Sequence, residues 1–169
     1  MRPLLVLVGP PGAGKTTVGR QVAERLGVDF RDTDQDVEQA AGKRIAEVFI
    51  DDGEQHFRAL EATAVAAALS GHDGVLSLGG GAVLDPATRA LLTGHRVVLL
   101  DVDLPAASGR IGLNRDRPVL ALNPRATLKA LLDERMPLYL EVATRVVPTS
   151  GRSIAEVVHE VAQDLGSRA

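Results

Sequence analysis

Val6-Leu7-Val8-Gly9-Pro10-Pro11-Gly12-Ala13-Gly14-Lys15-Thr16-Thr17 joins an apolar run, Leu4 to Val8, to a helical pattern from Val18 to Leu26. Gly9 through Thr16 fits G-x-x-x-x-G-K-S/T, the P-loop that cradles phosphates between a strand and a helix. Glycines let backbone N–H groups face phosphate oxygens with no Cβ in the way. A helix starting near Lys15 adds its positive end. Lys15 supplies a mobile cation for the β- and γ-phosphates, and the Thr16 hydroxyl is a candidate Mg²⁺ ligand. A dinucleotide fingerprint fits worse, because Thr17 stands where G-x-G-x-x-G needs Gly or Ala.

Outward from this loop, the 169 residues favour one domain, read here as 1–169. Aromatics make up only 2 % (Phe30, Phe49, Phe57 and Tyr139), so Leu, Val, Ile and Ala must build the core. Nineteen basic and 22 acidic side chains give a formal charge of −3, which argues against a general nucleic-acid binder. With no cysteine, disulfides, thiol nucleophiles and Cys-zinc sites are excluded. His56, His72, His95 and His159 are scattered and read as surface or loop residues. Met1-Arg2-Pro3 precedes too short an apolar run for a signal peptide, and no run reaches transmembrane length. The expectation is a cytoplasmic protein with no membrane partner.

Short apolar runs alternate with longer helical patterns, which implies βαβ units around a parallel sheet. Strands are expected at Leu4–Val8, at a short run ending near Arg31, and at Val75–Leu78, Val97–Leu100 and Thr144–Val147. Asp85-Pro86 and Asn123-Pro124 read as N-cap followed by Pro at the first helical position. Ser153 with Glu156 reads as a capping box, and Thr33 with Asp36 as a further cap. Ile154, Val157, Val158, Val161 and Leu165 form one apolar stripe. The pattern predicts a three-layer α/β/α domain with a five-stranded parallel sheet. Ligands in such sheets bind beyond the carboxyl ends of the strands.

Candidate chemistry follows three strand ends. Asp32-Thr33-Asp34 offers two carboxylates that can divide two jobs, one toward hydrated Mg²⁺ and one toward an acceptor hydroxyl and its proton. Helix-start capping is the competing explanation for the same residues. Gly79-Gly80-Gly81 permits close approach of a ligand, or serves only as a turn. Arg58 has Glu54 at i−4 and Glu61 at i+3, both good surface partners. Arg135 lies on an apolar stripe with Leu128, Leu131, Leu132, Leu138, Tyr139 and Val142. A guanidinium there either meets an anion or snorkels to solvent. Arg58 and Arg135 together can clamp a carboxylate. Arg110, Arg115 and Arg117, in a Gly-bearing segment, read as a lid at about 108–123, or as a solvated basic loop.

These pieces in this order resemble the shikimate kinase family. The likeness rests on Gly9–Arg20, Asp32-Thr33-Asp34, Ile45–Phe49, Gly53-Glu54 through Phe57-Arg58 and Glu61, Gly79-Gly80-Gly81, Arg117-Pro118, and Arg135 with Pro137-Leu138-Tyr139. It implies a nucleoside-monophosphate-kinase-like fold and ATP- and Mg²⁺-dependent phosphorylation of the shikimate 3-hydroxyl, in aromatic amino acid biosynthesis, by a monomer. Under it, Gly12, Ala13, Gly14, Lys15, Thr16, Thr17, Arg117 and Arg152 bind ATP, Arg152 on the adenine side. Thr16 and, through water, Asp32 hold Mg²⁺. Asp34 binds shikimate hydroxyls and is the candidate base; Arg58 and Arg135 hold the carboxylate, and Gly79, Gly80 and Gly81 line the acceptor. Lys15 and Arg117 stabilise the transferring phosphoryl group. The lid carries Pro118-Val119-Leu120 where the family pattern has Pro-Leu-Leu.

Competing readings are a gluconate kinase, which shares the phosphate chemistry, and a nucleoside-monophosphate kinase, whose acceptor suits these aspartates less well. A GTPase-like switch lacks its N-K-x-D and D-x-x-G motifs here.

Overall fold

The apolar runs at Leu5–Val8, Val75–Ser77 and Val97–Asp101 become strands buried on both faces, as the inner strands of a parallel sheet between helices require. The structure, a computed structural model, describes residues 2–103 and 124–166. Its sheet comprises β1 (Leu5–Val8), β2 (Phe30–Asp32), β3 (Val75–Ser77), β4 (Val97–Asp101) and β5 (Arg145–Pro148), in the spatial order β2-β3-β1-β4-β5. Every pairing is parallel, with Val6 set between Leu76 and Val97. The helices are α1 (Lys15–Leu26), α2 (Thr33–Ala41), α3 (Ile45–Asp52), α4 (Glu54–Gly71), α5 (Pro86–Leu92), α6 (Pro124–Val142) and α7 (Ile154–Gly166).

Alternation along β1 divides the core. Leu5 and Leu7 pack with Val18 and Val22 of α1 and Val157 and Val161 of α7. Val6 and Val8 pack on the other face with Val65 and Leu69 of α4, Leu92 of α5 and Tyr139 of α6. Helix layers on both faces of one sheet make the three-layer architecture the sequence pattern predicts. A third cluster, Val37, Ile45, Val48 and Phe57, holds α2, α3 and α4 together. Burying one such Leu, Val or Phe side chain contributes about 1.5–3 kcal/mol.

Local differences have identifiable causes. Thr144 precedes β5 instead of opening it: its hydroxyl accepts from the Val97 amide at 3.0 Å and donates to the Val97 carbonyl at 2.9 Å. The cap of α2 is Asp32, not Thr33: Asp32 Oδ1 accepts from the Asp34 amide at 2.9 Å, and Thr33 is turned inward and fully buried. Asp85 caps α5 as expected, and the Ser153 hydroxyl accepts from the Glu156 amide at 3.1 Å at the start of α7. His72 lies in a connection as expected but is buried, with Nε2 3.1 Å from the Val75 carbonyl. Asn123 and the expected lid, with Arg110, Arg115 and Arg117, lie outside the described residues.

Candidate active site

Chain order places β1 centrally, with β3 on one side and β4 on the other, so the crevice beyond the end of β1 lies at the reversal of strand order. Gly9 follows that end. A Cβ there would sit 2.6 Å from the Leu100 carbonyl oxygen, so only glycine lets the loop leave the sheet this closely. Gly14 precedes α1 with φ 87°, in the left-handed region. Ala13 is buried, while Thr16 and Thr17 face solvent in the first turn of α1. Lys15 Nζ folds back over the loop and donates to the carbonyls of Gly9 at 2.7 Å and Pro10 at 3.1 Å.

Thr16 Oγ1 donates to Asp32 Oδ2 at 3.0 Å, which joins the P-loop helix to the end of β2. Burial above all, and then the charge of Asp34, pushes the Asp32 carboxyl above the usual carboxylate range; the Asp34 amide, the Thr16 hydroxyl and Lys15 oppose that shift. A hydroxyl and a carboxylate are hard oxygen donors, the kind Mg²⁺ takes. No group of three or more His, Cys, Asp or Glu forms a metal cluster among the described residues. That donor set fits a Mg²⁺ held mainly by phosphates and water, with one or two protein oxygens. It does not fit an all-protein cage.

The acceptor side is assembled around the three glycines beyond β3. A Cβ on Gly79 would lie 2.6 Å from Asp34 Oδ1 and 2.8 Å from Glu61 Oε2. On Gly80 it would lie 3.2 Å from Pro11 Cδ of the P-loop, and on Gly81 2.6 Å from Arg58 Nη2. Each glycine thus makes room for a different part of the site, so the triplet is more than a flexible turn. Arg58 Nη1 donates to Glu61 Oε1 at 2.7 Å. Its Nε is buried with no hydrogen-bond partner among the described residues.

Glu61 is the residue that local spacing misassigns. At i+3 from Arg58 it reads as a surface partner, yet it is only 3 % exposed. Glu54, at i−4, is the surface partner, 3.5 Å away. The Gly-Glu-x-x-Phe-Arg-x-x-Glu pattern held the only sequence signal for the buried role. Arg135 is also buried, at 5 % exposure, so it does not snorkel to solvent. It precedes Tyr139 by one helical turn on α6, and the Tyr139 hydroxyl donates to the Gly80 carbonyl at 2.5 Å.

Arg152 stands apart from this cluster, after β5. Its guanidinium donates to the Pro148 carbonyl at 2.9 Å and pairs with Glu160 at 3.3 Å. The segment is beside the P-loop: Ile154 Cδ1 lies 3.9 Å from where a Cβ on Gly14 would be.

A P-loop on the central strand, with paired aspartates at a neighbouring strand end and a separate arginine–glycine cluster opposite the phosphate loop, defines a P-loop kinase with a small-molecule acceptor. The comparisons with known proteins narrow this class. A family model described as shikimate kinase matches residues 11–166, and the chain belongs to the shikimate kinase family. The shikimate kinase of Salinispora arenicola (strain CNS-205) is 63 % identical over 162 residues, which span 96 % of this chain and 97 % of that protein. A solved shikimate kinase from Acinetobacter baumannii, in complex with shikimate, superposes with a TM-score of 0.93 at 36 % identity, over 99 % of this chain and 94 % of that one. A gluconokinase from Sinorhizobium meliloti 1021, at 21 % identity and a TM-score of 0.60 over 96 % of this chain and 91 % of its own, shares the fold alone.

Proposed function

We propose that this kinase transfers the γ-phosphoryl group of ATP to the 3-hydroxyl of shikimate. The observation that carries the acceptor assignment is the convergence of Asp34, Glu61 and Arg58 on the three glycines. A half-buried guanidinium held by a buried carboxylate, with its buried Nε–H still to satisfy, suits an acceptor carboxylate. Arg135 on α6 supplies the second arm of that clamp. Asp34 accepts a hydrogen bond from the acceptor hydroxyl and takes its proton as the oxygen–phosphorus bond forms and the bond to ADP breaks. Gly12, Ala13, Gly14 and Thr17 present backbone and hydroxyl donors to the phosphates, and Lys15 leaves the Gly9 and Pro10 carbonyls for them. Thr16 and, through water, Asp32 would hold Mg²⁺, which would neutralise charge on the ATP phosphates. Arg117 adds positive charge from the lid segment, and Arg152 lies on the adenine side.

The rest of the proposal is one domain over 1–169, acting as a monomer in the cytoplasm on ATP and shikimate, without nucleic-acid or membrane partners. No helix among the described residues is long and apolar enough to cross a membrane. A coupled ADP-release assay with shikimate, quinate, gluconate and nucleoside monophosphates tests the acceptor. Turnover restricted to shikimate is expected, and turnover with another acceptor in its place would sink the assignment.

A further inference from the structure

We propose that Tyr139 and Thr33 are positioning residues that grip the glycine loop from two sides and so hold Asp34 and Arg135 in one frame for the acceptor. The inference rests on the acceptor reading above. Neither side chain reaches solvent: Thr33 is 0 % exposed and Tyr139 1 %. Thr33 Oγ1 accepts from the Gly79 amide at 3.3 Å, and the Tyr139 hydroxyl donates to the Gly80 carbonyl at 2.5 Å. The two bonds act on adjacent residues of one loop and arise from different elements.

Each anchor is tied to a residue that faces the acceptor. Thr33 is followed immediately by Asp34, whose carboxylate lies against Gly79. Tyr139 lies one turn after Arg135 on α6. Pro137, between them, removes a helical hydrogen bond, so that turn of α6 is less constrained by its own ladder. The Tyr139 hydroxyl supplies a constraint there, from the loop instead of from the helix. Buried polar groups of this kind fix a unique arrangement when fully paired. The tilt of Thr33 toward Gly79 also explains why Asp32, not Thr33, caps α2.

The test compares Tyr139→Phe, Thr33→Val and Thr33→Ser with the unchanged enzyme. Tyr139→Phe and Thr33→Val should raise the KM for shikimate by about five- to tenfold, the scale expected for one buried hydrogen bond. The ATP KM should stay unchanged; kcat should hold within about twofold in Tyr139→Phe and fall further in Thr33→Val, whose neighbour Asp34 takes the proton. Thr33→Ser keeps the hydroxyl and should restore the shikimate KM. A role confined to folding would lower the active fraction and leave KM alone. A second readout needs no turnover: amide hydrogen exchange should quicken at Gly79 in Thr33→Val and across residues 79–81 in Tyr139→Phe. Should Tyr139→Phe fail to fold, the two Thr33 variants decide. Unchanged exchange, or an unchanged shikimate KM in the folded variants, overturns the proposal. If the unchanged enzyme turns over no shikimate, the acceptor reading falls, and exchange alone decides whether the grip exists.

Discussion

Arg58 and Glu61, one turn apart on α4, are joined by a 2.7 Å charge-assisted bond in which the carboxylate is almost wholly buried. Exposed ion pairs at this spacing contribute little, because solvent screens them and two long side chains must be ordered. This pair differs because Glu61 is held among Gly79, Asp34 and α4, so it fixes where the guanidinium fork points. Glu61→Gln should raise the shikimate KM by about ten- to a hundredfold, matching the ~1.5–3 kcal/mol of a hydrogen bond to a charged group. Glu54→Gln, on the 3.5 Å solvent-exposed partner, should leave it unchanged. Steady-state kinetics at saturating ATP make the comparison, and equal effects of the two substitutions would refute the buried role.

The three glycines predict a second separation. None of Gly79, Gly80 and Gly81 has a positive φ, so alanine suits their backbone and only space decides. Gly79→Ala puts a methyl 2.6 Å from Asp34 Oδ1 and 2.8 Å from Glu61 Oε2. It should abolish acceptor binding while nucleotide affinity, measured by calorimetry, is retained. Gly14→Ala, forced to φ 87°, should instead weaken nucleotide binding and lower the melting temperature.

How much of this could be read from the chain follows the range of each interaction. The P-loop, the strand runs and the Asp85 cap depend on neighbours a few residues away, and they are legible. The Asp32–Thr33 junction is ambiguous locally because both residue types can cap a helix. Gly79, 46 residues distant, decides it by claiming the Thr33 hydroxyl. Glu61 misleads for a related reason: i+3 spacing gives an ion pair but not which side of the helix is covered. Its burial is set by the β3 glycine loop and by Asp34, which no local pattern reports. Arg135 was legible as an anomaly, a guanidinium on an apolar stripe, though only the fold removes the option of reaching solvent.

Asp32 predicts a trade between stability and turnover. Burial and the neighbouring Asp34 raise its folded-state pKa, so the protonated form is favoured in the folded chain. Such a group stabilises below its unfolded value, near 3.8, and that contribution is lost as pH rises through the folded value. At neutral pH the folded protein therefore holds this carboxylate at a cost. Asp32→Asn keeps the cap, since Asn serves as well as Asp there. Without nucleotide it should melt at a higher temperature than the unchanged protein at pH 7.5, with the gap closing as pH falls toward 4. Its Mg²⁺-dependent turnover should fall sharply, because the carboxylate beside Thr16 is gone. Melting curves across pH that run parallel would refute the electrostatic account.

Arg152 should affect the nucleotide alone. Its guanidinium is braced by Glu160 and the Pro148 carbonyl next to the start of α7, on the P-loop side of the molecule. Arg152→Ala should raise the ATP KM severalfold and leave the shikimate KM unchanged. A shift in the shikimate KM alone would remove it from the adenine side.

Arg135 gives the sharpest test of the acceptor site, because solvent screens a buried guanidinium little when it binds a carboxylate. Lysine carries the same charge but presents one ammonium where arginine presents a planar fork, so it cannot hold a carboxylate through two parallel bonds. Arg135→Lys should therefore raise the shikimate KM by about tenfold or more, with the ATP KM unchanged. Ligand-linked stability supplies an independent reading. Shikimate at 100 times its Kd should stabilise the unchanged enzyme by about 2.7 kcal/mol. At the same shikimate concentration, the stabilisation of Arg135→Lys should fall to about 1.4 kcal/mol, since the ligand then stands at only about 10 times a tenfold weaker Kd, and the rise in melting temperature should shrink by about half. A normal shikimate KM together with a full thermal shift would show that the buried guanidinium serves the packing of α6 and not the substrate.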